Sequence, residues 1–391
     1  MAENMNDNIP FFKPSFSQDE EDAVLRVLRS GWLTTGPEAL AFENEFSRFI
    51  GGTHCLAVNS ATSGLMLAYD AFGVGPGTSI LTTPYTFAST ATAARHLGAD
   101  IRWADIESDS YNIDPNRIEE ALKKHPEIRA IVPVHVAGLP CDMEAICYLG
   151  KKYGKAVIED AAHAFPSRTP GGFAGTLGDA GVWSFYATKT ITTGEGGMVH
   201  VRGDEAEKRI KLMRSHGINR TIWDRYTSVQ ASWVYDVVED GWKCNLPDIL
   251  AAIGREQLKK ADSFLDQRSK TARKYAEAFR SCPSLELPPD GTGNAWHLFL
   301  LRIIPEKLTI GRDEFAAELQ KQGLGISVHF IPHFELTYFK KRYNLTREEF
   351  PCSARRYETT ITLPFWPGMS EEQEDRVIRA VISTADTYAR S

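Results

Sequence analysis

Excess charge of one sign and clusters of basic residues are both scarce in this chain of 391 residues. It has 44 Lys and Arg residues against 51 Asp and Glu residues, a net charge of -7, and no Lys/Arg-rich run. Proteins that bind nucleic acid or anionic membranes through charge usually display a basic patch or segment. The composition therefore excludes that broad mode of binding, and an anionic ligand would need a local site.

Long apolar runs and regular cysteine spacings are missing as well. No apolar stretch approaches the roughly 18 residues that a membrane-spanning helix needs, and residues 1–10 lack the pattern of a secretory signal. The six cysteines are scattered without CxxC pairs, which predicts neither a zinc site nor a disulfide framework. We therefore expect a cytoplasmic protein with reduced thiols, no metal, and no nucleic-acid or membrane partner.

Short apolar runs alternate with helical patterns through the first half of the chain. This alternation is typical of α/β proteins, in which helices flank a mostly parallel central sheet. Strands are predicted at 54–59, 79–82, 100–103, 129–134, 156–159, 181–185 and 197–201, and helices at 63–72, 89–97, 114–124 and 143–153.

The two ends of the chain carry other signals. Ser17 and Glu20 form a capping-box pattern that predicts a helix ending at Gly31. Residues 218–243 are polar, aromatic-rich and weakly periodic, which indicates a long functional loop or hairpin. Beyond them, patterns predict one long helix followed by a strand at 296–303, a helix at 312–322, a strand at 325–330 and a helix at 371–388.

These patterns divide the chain into three parts. We expect an N-terminal segment and a large α/β domain over 1–245, a long linking helix over 246–281, and a smaller C-terminal α+β domain over 282–391.

Two residues near strand ends have the chemistry of a carbonyl-binding site. Asp160 follows a predicted buried strand, at the edge where open α/β sheets bind ligands. Lys189 lies between an apolar strand and a Thr/Gly-rich turn, a setting that desolvates the ammonium and makes the amine a better nucleophile. Taken alone, each has an ordinary explanation, because such an Asp often caps a turn and most lysines are surface charges.

Other candidates surround this pair. Thr62 and Ser63 lie between a strand and a helix, where hydroxyls and backbone N–H groups form an anion site without net positive charge. Ser184, near the end of a later strand, would add a hydroxyl. Phe87 offers a flat surface for stacking, and His163 would face the same pocket. The same residues also fit simple helix caps, an ordinary core aromatic and a satisfied buried histidine.

Together the candidates meet the four requirements of pyridoxal 5′-phosphate (PLP). These are a lysine for its aldehyde, an anion beside its pyridine nitrogen, an anchor for its phosphate and a flat surface against its ring. In order and type, the segments at 31–37, 61–64, 159–163 and around Lys189 resemble the DegT/DnrJ/StrS sugar-nucleotide aminotransferases. That family belongs to the fold type I PLP-dependent aminotransferases, and the resemblance extends to His329.

The resemblance implies specific roles. The residue matching Lys189 forms the Schiff base with PLP in that family, and the one matching Asp160 pairs with the pyridine nitrogen. Asn245 resembles the asparagine that reaches the cofactor phosphate in the neighbouring subunit, which implies an obligate homodimer with shared active sites. The residues that hold the phosphate within one subunit match Thr62, Ser63 and Ser184.

The substrate follows from the same resemblance. Segments 31–37 and 328–330 are closest to enzymes that aminate C4 of UDP-4-keto sugars, so Trp32, Thr35 and His329 are predicted to contact substrate. The predicted enzyme moves an amino group from L-glutamate, through pyridoxamine 5′-phosphate (PMP), to C4 of a UDP-4-keto-hexose for amino-sugar or surface polysaccharide biosynthesis.

Several alternatives are weighed against this function. A C3 aminotransferase acting on a dTDP-3-keto sugar and a non-catalytic PLP-binding regulator stay open. A sugar dehydratase, which in this family has histidine at the lysine position, is disfavoured by Lys189. An aminotransferase for ordinary amino acids would need an arginine for the substrate carboxylate, and sequence alone does not place one.

Overall fold

The computed structural model describes residues 8–52, 54–219 and 234–390. Nine strands lie in the first half of the described chain: β1 His54–Val58, β2 Ser79–Thr82, β3 Asp100–Trp103, β4 Ile128–Ile131, β5 Ala156–Asp160, β6 Arg168–Thr169, β7 Gly172–Phe173, β8 Ala180–Ser184 and β9 Gly197–Val201. Seven of them form one sheet in the order β1-β9-β8-β5-β4-β2-β3, while β6 and β7 form a separate pair.

The central sheet is mostly parallel. From β8 through β5, β4 and β2 to β3, each neighbouring pair of strands is parallel. Only β9 breaks the pattern, because it pairs antiparallel with both β1 and β8. The predicted fold class is thus confirmed, and the seven predicted strands match these seven to within three residues at either end.

Helices cover both faces of the sheet. They are α1 Gln18–Ser30, α2 Pro37–Phe49, α3 Ala61–Ala71, α4 Ala88–His96, α5 Pro115–Lys124, α6 Met143–Tyr153 and α7 Asp204–Met213. Adjacent residues of β2 point to opposite faces: Ile80 packs in a cluster with α3, α4 and α7, and Leu81 in a cluster with α5 and α6. The crossover helices that join the parallel strands therefore lie on both faces of the sheet.

Helix α1 follows its sequence signals closely. The Ser17 hydroxyl accepts from the backbone of Asp19, the Glu20 carboxylate accepts from Ser17 N (2.9 Å), and Gly31 ends the helix in a left-handed conformation. The predicted capping box is confirmed.

The C-terminal third forms a smaller α+β layer. Its strands β10 Leu285–Glu286, β11 Leu300–Ile303 and β12 Thr360–Thr362 make an antiparallel sheet. Two helices, α8 Asp248–Lys259 and α9 Ala261–Phe279, precede this sheet. The helices that follow along the chain are α10 Arg312–Lys321, α11 Thr337–Tyr343, α12 Pro351–Thr359 and α13 Glu371–Thr387. Helices α9, α10 and α13 pack against β11 around a second core that includes Phe299 and Phe315.

Three local predictions need correction. The single helix predicted over 246–281 is two consecutive helices that meet at Lys260, whose backbone has ψ near -4°. The strand predicted at 325–330 is absent, because Gly325 bonds to Ile9 on one side while Ser327 bonds to Thr362 on the other, and no ladder forms. Helices α11 and α12 lacked a periodic apolar signal and were not predicted.

The N-terminal segment joins the C-terminal core. Ile9 pairs with Leu324 and packs among the residues of α9 and α13. The domain limits at 245 and 281 stay a proposal. The contact of Ile9 shows that the first described residues pack against the proposed C-terminal domain.

The predicted loop or hairpin at 218–243 lies partly outside the described residues. At its described ends, Ile218 pairs with Val237, and Val238 N donates to Gly217 O (2.9 Å), both in antiparallel register. None of the described helices is long and apolar enough to cross a membrane.

Candidate active site

A cavity of about 610 Å³ opens at the carboxyl-terminal ends of the parallel strands. Asp160 ends β5 and Ser184 ends β8, so loops from several strands converge there. Seven of the predicted site residues line this cavity: Thr62, Phe87, Asp160, His163, Ser184, Lys189 and His329.

Asp160 is a buried carboxylate, only 4% exposed. It accepts hydrogen bonds from Thr90 Oγ1 (2.7 Å) and Ala162 N (3.2 Å). Burial raises its pKa, and these two hydrogen bonds oppose that shift more than the charge of Lys189 does. A cationic group bound in the cavity would therefore supply the counter-charge that the carboxylate needs.

Lys189 stands on the turn after β8, and its loop is fastened by Thr190, whose hydroxyl donates to Phe165 O (2.5 Å). Burial lowers the pKa of Lys189 to about 8, although the nearby charge of Asp160 raises it. A larger fraction of such an amine is unprotonated near neutral pH than of an ordinary lysine. The site thus offers a nucleophile for a carbonyl compound.

The start of α3 forms an anion site. Ser60 caps the helix by accepting from Ser63 N (3.2 Å), and Ser60, Ala61 and Thr62 line the cavity. The first N–H groups of a helix have no partner within it, and the helix dipole favours a negative charge there. Ser184 supplies a further hydroxyl, whereas Ser63 lies behind this surface with its Oγ 3.1 Å from that of Ser60.

A glycine allows this helix to meet the sheet. A Cβ atom on Gly197, at the start of β9, would lie 2.9 Å from Ala61 N and 2.8 Å from Trp183 O. Both atoms belong to the backbone, so neither can turn aside as a side chain would. Glycine at this position brings the amides of α3 to the cavity edge.

Phe87 lies at the cavity with 63% of its surface exposed. Its ring lies 6.4 Å from that of Phe330, at a tilted angle. This exposure excludes the interpretation of Phe87 as an ordinary core aromatic. A large apolar ring left open over a cavity can cover a flat ligand.

Three neutral histidines complete the wall. The ring of His163, which is 7% exposed, stacks on Phe330 at 5.2 Å and meets the edge of His297 at 4.4 Å. Burial, with the charge of Lys189 as a further cause, lowers the pKa of all three, and that of His329 falls to about 4. These imidazoles therefore offer hydrogen bonds rather than positive charge.

Two residues of this wall were not predicted as site residues. Phe11, from the N-terminal segment, stacks on His329 at 5.5 Å, and His297 lies in a segment predicted only as a strand. Phe11 carries no sequence signal, because its contact depends on tertiary packing. For His297, the signal was a lone histidine in an apolar run.

Three predicted residues form a separate cluster outside this cavity. Asn245, 8% exposed, donates through Nδ2 to Thr35 Oγ1 (2.5 Å) and also contacts the Lys243 ammonium. Thr35 donates to Leu246 O (2.6 Å), and Trp32 Nε1 donates to Thr35 O (3.4 Å). The chain does not bring Asn245, Thr35 or Trp32 into its own cavity.

The donor groups of the cavity fit PLP on all four requirements. A buried acid lacks a strong counter-charge, a lysine has a lowered pKa, a helix start exposes amides and hydroxyls, and an aromatic ring is left open. The described residues contain no cluster of His, Cys, Asp or Glu side chains placed to bind a metal ion.

Comparison with known proteins agrees with the PLP-binding chemistry of the cavity. Residues 14–382 match the DegT/DnrJ/EryC1/StrS aminotransferase family. The spore coat polysaccharide biosynthesis protein SpsC of Bacillus subtilis is 40% identical over 384 residues, which cover 97% of this chain and 98% of SpsC.

Solved structures agree as well. Helicobacter pylori PseC, an aminotransferase involved in the biosynthesis of pseudaminic acid, superposes with a TM-score of 0.90 at 28% identity, covering 97% of this chain and 100% of PseC. Streptococcus pneumoniae Spr1654 in its PMP form superposes with a TM-score of 0.90 at 27% identity, over 97% of this chain and 100% of Spr1654. The chain therefore belongs to the DegT/DnrJ/EryC1/StrS aminotransferase family and is a PLP-dependent sugar aminotransferase.

Proposed function

We propose that the chain transfers an amino group from L-glutamate to C4 of a UDP-linked 4-keto-hexose, to make an amino sugar for a surface polysaccharide. The pairing of Lys189, with its pKa near 8, and buried Asp160 in one cavity carries the PLP-dependent transfer. The choice of C4 on a UDP-sugar rests on the resemblance of segments 31–37 and 328–330 to C4 aminotransferases. The names of SpsC and PseC support the polysaccharide and amino-sugar setting.

Each residue of the cavity has a proposed task. When bound, PLP supplies an electron sink that lets an amino group pass between a donor carbon and a carbonyl carbon. Asp160 keeps a proton on the pyridine nitrogen, and Lys189 binds the aldehyde and moves protons as a free amine. The backbone of α3 with Thr62 and Ser184 holds the phosphate, Ser63 supports this surface through its contact with Ser60, and Phe87 covers one face of the ring.

The cavity wall suits a sugar ring as the acceptor. Among the described residues that line it, Lys189 is the one lysine and there is no arginine. A cationic group for the carboxylates of the proposed L-glutamate donor would therefore come from a second copy of the chain. His329 and the aromatic residues around it instead offer neutral hydrogen bonding and flat apolar surface, which suit a sugar ring.

We also propose a homodimer that shares its active sites. Asn245, Thr35 and Trp32 are clustered but do not line the cavity of their own chain, so a role at the cofactor phosphate or the substrate requires a second copy. Helices α1 and α2 and the segment between them also expose apolar side chains that a partner would cover, namely Leu25, Leu28, Leu33 and Leu40.

The cytoplasm is the proposed compartment. The structure contains six free cysteines, four of them buried, and a reducing environment keeps such thiols intact.

The test is an amination assay with a matched control. Purified protein is mixed with PLP, L-glutamate and a panel of nucleotide-linked 4-keto and 3-keto sugars, and products are identified by mass spectrometry and NMR. We expect an amino group at C4 of a UDP-sugar, and no product from Lys189→Ala.

Each other outcome has a defined meaning. Amination of C3 on a dTDP-sugar would replace the proposed substrate with the C3 alternative. Turnover of free keto acids without any sugar product would contradict the proposed acceptor. PLP binding without any transfer in the panel would support the regulator.

A further inference from the structure

A tight turn after β4 controls the surroundings of two cavity histidines. The turn Val136–Gly138 contains Ala137 in a left-handed conformation, with φ of 58°. Asn112 holds this turn through Val136 N (3.1 Å) and the Leu139 carbonyl (3.1 Å). A left-handed conformation is uncommon for a non-glycine residue, and here it sets the direction of the Ala137 peptide groups.

The peptide groups of Ala137 point at both histidines. Its N–H donates to Nδ1 of His163 (3.4 Å), and its carbonyl accepts from the backbone N–H of His297 (2.9 Å). Because Nδ1 of His163 faces a donor, it cannot also carry a proton. A neutral His163 must therefore bear its proton on Nε2.

The ring of His163 is held from two sides. Phe330 stacks on one face, and the His297 ring meets it at 64° with centroids 4.4 Å apart. The backbone of His297 is itself clamped, since its carbonyl accepts from the buried guanidinium of Arg268 (3.1 Å). The His297 ring is buried, with the residue 3% exposed, and its Nδ1 has no partner among the described residues, so ring packing adds to the backbone hydrogen bonds that hold this residue.

We propose that Ala137 makes His163 a fixed Nε2–H donor toward the cavity, and that His297 is a positioning residue which holds the His163 ring. The acceptor is a phenolate-type oxygen, the ring oxygen of the cofactor. This acceptor rests on the proposed placement of the PLP ring between Asp160 and Phe87.

The tautomer can be tested without cofactor. Apo protein labelled with ¹⁵N-histidine gives ring nitrogen shifts that separate a protonated nitrogen from one with a lone pair. His163→Gln identifies the His163 signals by their loss. His200 is an internal reference of opposite tautomer, because its Nδ1 lies 3.3 Å from the carbonyl of His54 and must donate to it.

We expect a proton on Nε2 for His163 and on Nδ1 for His200 near pH 7.5. A proton on Nδ1 of His163, or on both of its nitrogens, would overturn the proposal. Because this experiment contains neither cofactor nor sugar, its failure would leave the amination assay and the proposed function untouched.

Four variants test the donor and its support in the loaded enzyme. Glutamine places an N–H near the position of histidine Nε2, whereas asparagine places one near Nδ1. His163→Gln should therefore keep the donor, and His163→Asn should lose it. His297→Phe keeps a flat ring edge without nitrogens, and His297→Ala removes the contact.

The readout is the pH midpoint of the visible absorbance of PLP bound to Lys189. A donor to the ring oxygen stabilises the form in which that oxygen is fully anionic, so losing the donor moves the midpoint to higher pH. We expect a rise of about one pH unit in His163→Asn and His297→Ala, and midpoints near wild type in His163→Gln and His297→Phe. Equal shifts in the two His297 variants, or in the two His163 variants, would contradict the assigned roles.

Discussion

The carboxylate of Asp160 is buried, and burial disfavours its charged form. Burial raises its pKa in the folded protein, so the unfolded chain releases this proton at lower pH than the folded one. The free energy of unfolding therefore falls as pH rises through the window above the ordinary value of 3.8. Without the cofactor, the buried Asp160 carboxylate therefore lowers the free energy of unfolding at neutral pH.

A substitution separates the two effects. Asp160→Asn removes the buried charge but keeps an oxygen for Ala162 N, so the apo variant should melt at or above the wild-type temperature at pH 7. Amination should nevertheless slow by at least about 100-fold, because an amide cannot hold the ring nitrogen protonated. Thermal unfolding and turnover are measured on the same preparation. Near-normal turnover with PLP fully bound would mean that the carboxylate is structural.

Lys189 gives a pH-dependence with a defined sign. Its free amine attacks the aldehyde, and its pKa is lowered to about 8. The rate at which apo protein captures PLP should therefore rise with pH and level off above about 8, well below the usual midpoint for lysine. Stopped-flow absorbance measures this profile.

The same profile has an internal control. Asp160 raises the pKa of Lys189, so Asp160→Asn should move the midpoint to lower pH. A midpoint that stays fixed would show that the two groups do not interact electrostatically in the apo site.

At the level of helices and strands, the phosphate site depends on close backbone approach. Gly197→Ala would bring a Cβ within 3 Å of Ala61 N and Trp183 O, so α3 or β9 must shift. We expect a loss of about 1–3 kcal/mol in the free energy of unfolding, together with weaker PLP binding. Gly75→Ala is the matched control, because its Cβ would meet only Leu97 O at 3.7 Å. Equal effects of the two changes on PLP affinity would argue against this packing.

The elements differ in how well the sequence predicts them. Strands of the central sheet are buried on both faces and bounded by turns, so β2 and β3 were predicted at their observed ends. Helix α6 was also predicted at both ends, because Asp142 caps its start and Gly154 ends it. These signals depend only on neighbouring residues, so they can be recognised without knowing the tertiary structure.

Other features depended on distant partners. The sequence predicts a strand at 325–330, but the backbone N–H of Gly325 donates to Ile9 O and does not join a strand ladder. Likewise, the cavity residues that belong to recognisable sequence motifs were predicted. Phe11 and His297 were missed, because they reach the cavity only through the packing of distant segments. Asn245 shows the opposite case, since its motif is present but the single chain does not place it in the cavity.

At the level of the whole molecule, mixed dimers test whether Asn245 acts on the partner. A Lys189→Ala subunit keeps its asparagine and an Asn245→Ala subunit keeps its lysine, so a hybrid dimer should regain one complete site. Asn245→Ala alone should weaken PLP binding by about 1.5–3 kcal/mol, the usual contribution of a hydrogen bond to a charged group. PLP affinity is measured after subunit exchange. If exchange occurs and the lysine-containing site stays weak, Asn245 does not act across subunits.

The contact between Ile9 and Leu324 also bears on how the enzyme is made. Phe11 can stack on His329 only after the long segment between them has been synthesised. The cavity is therefore completed by two segments that are far apart in the chain. A chain that ends before His329 would lack the ring on which Phe11 stacks, so this wall of the pocket would stay open.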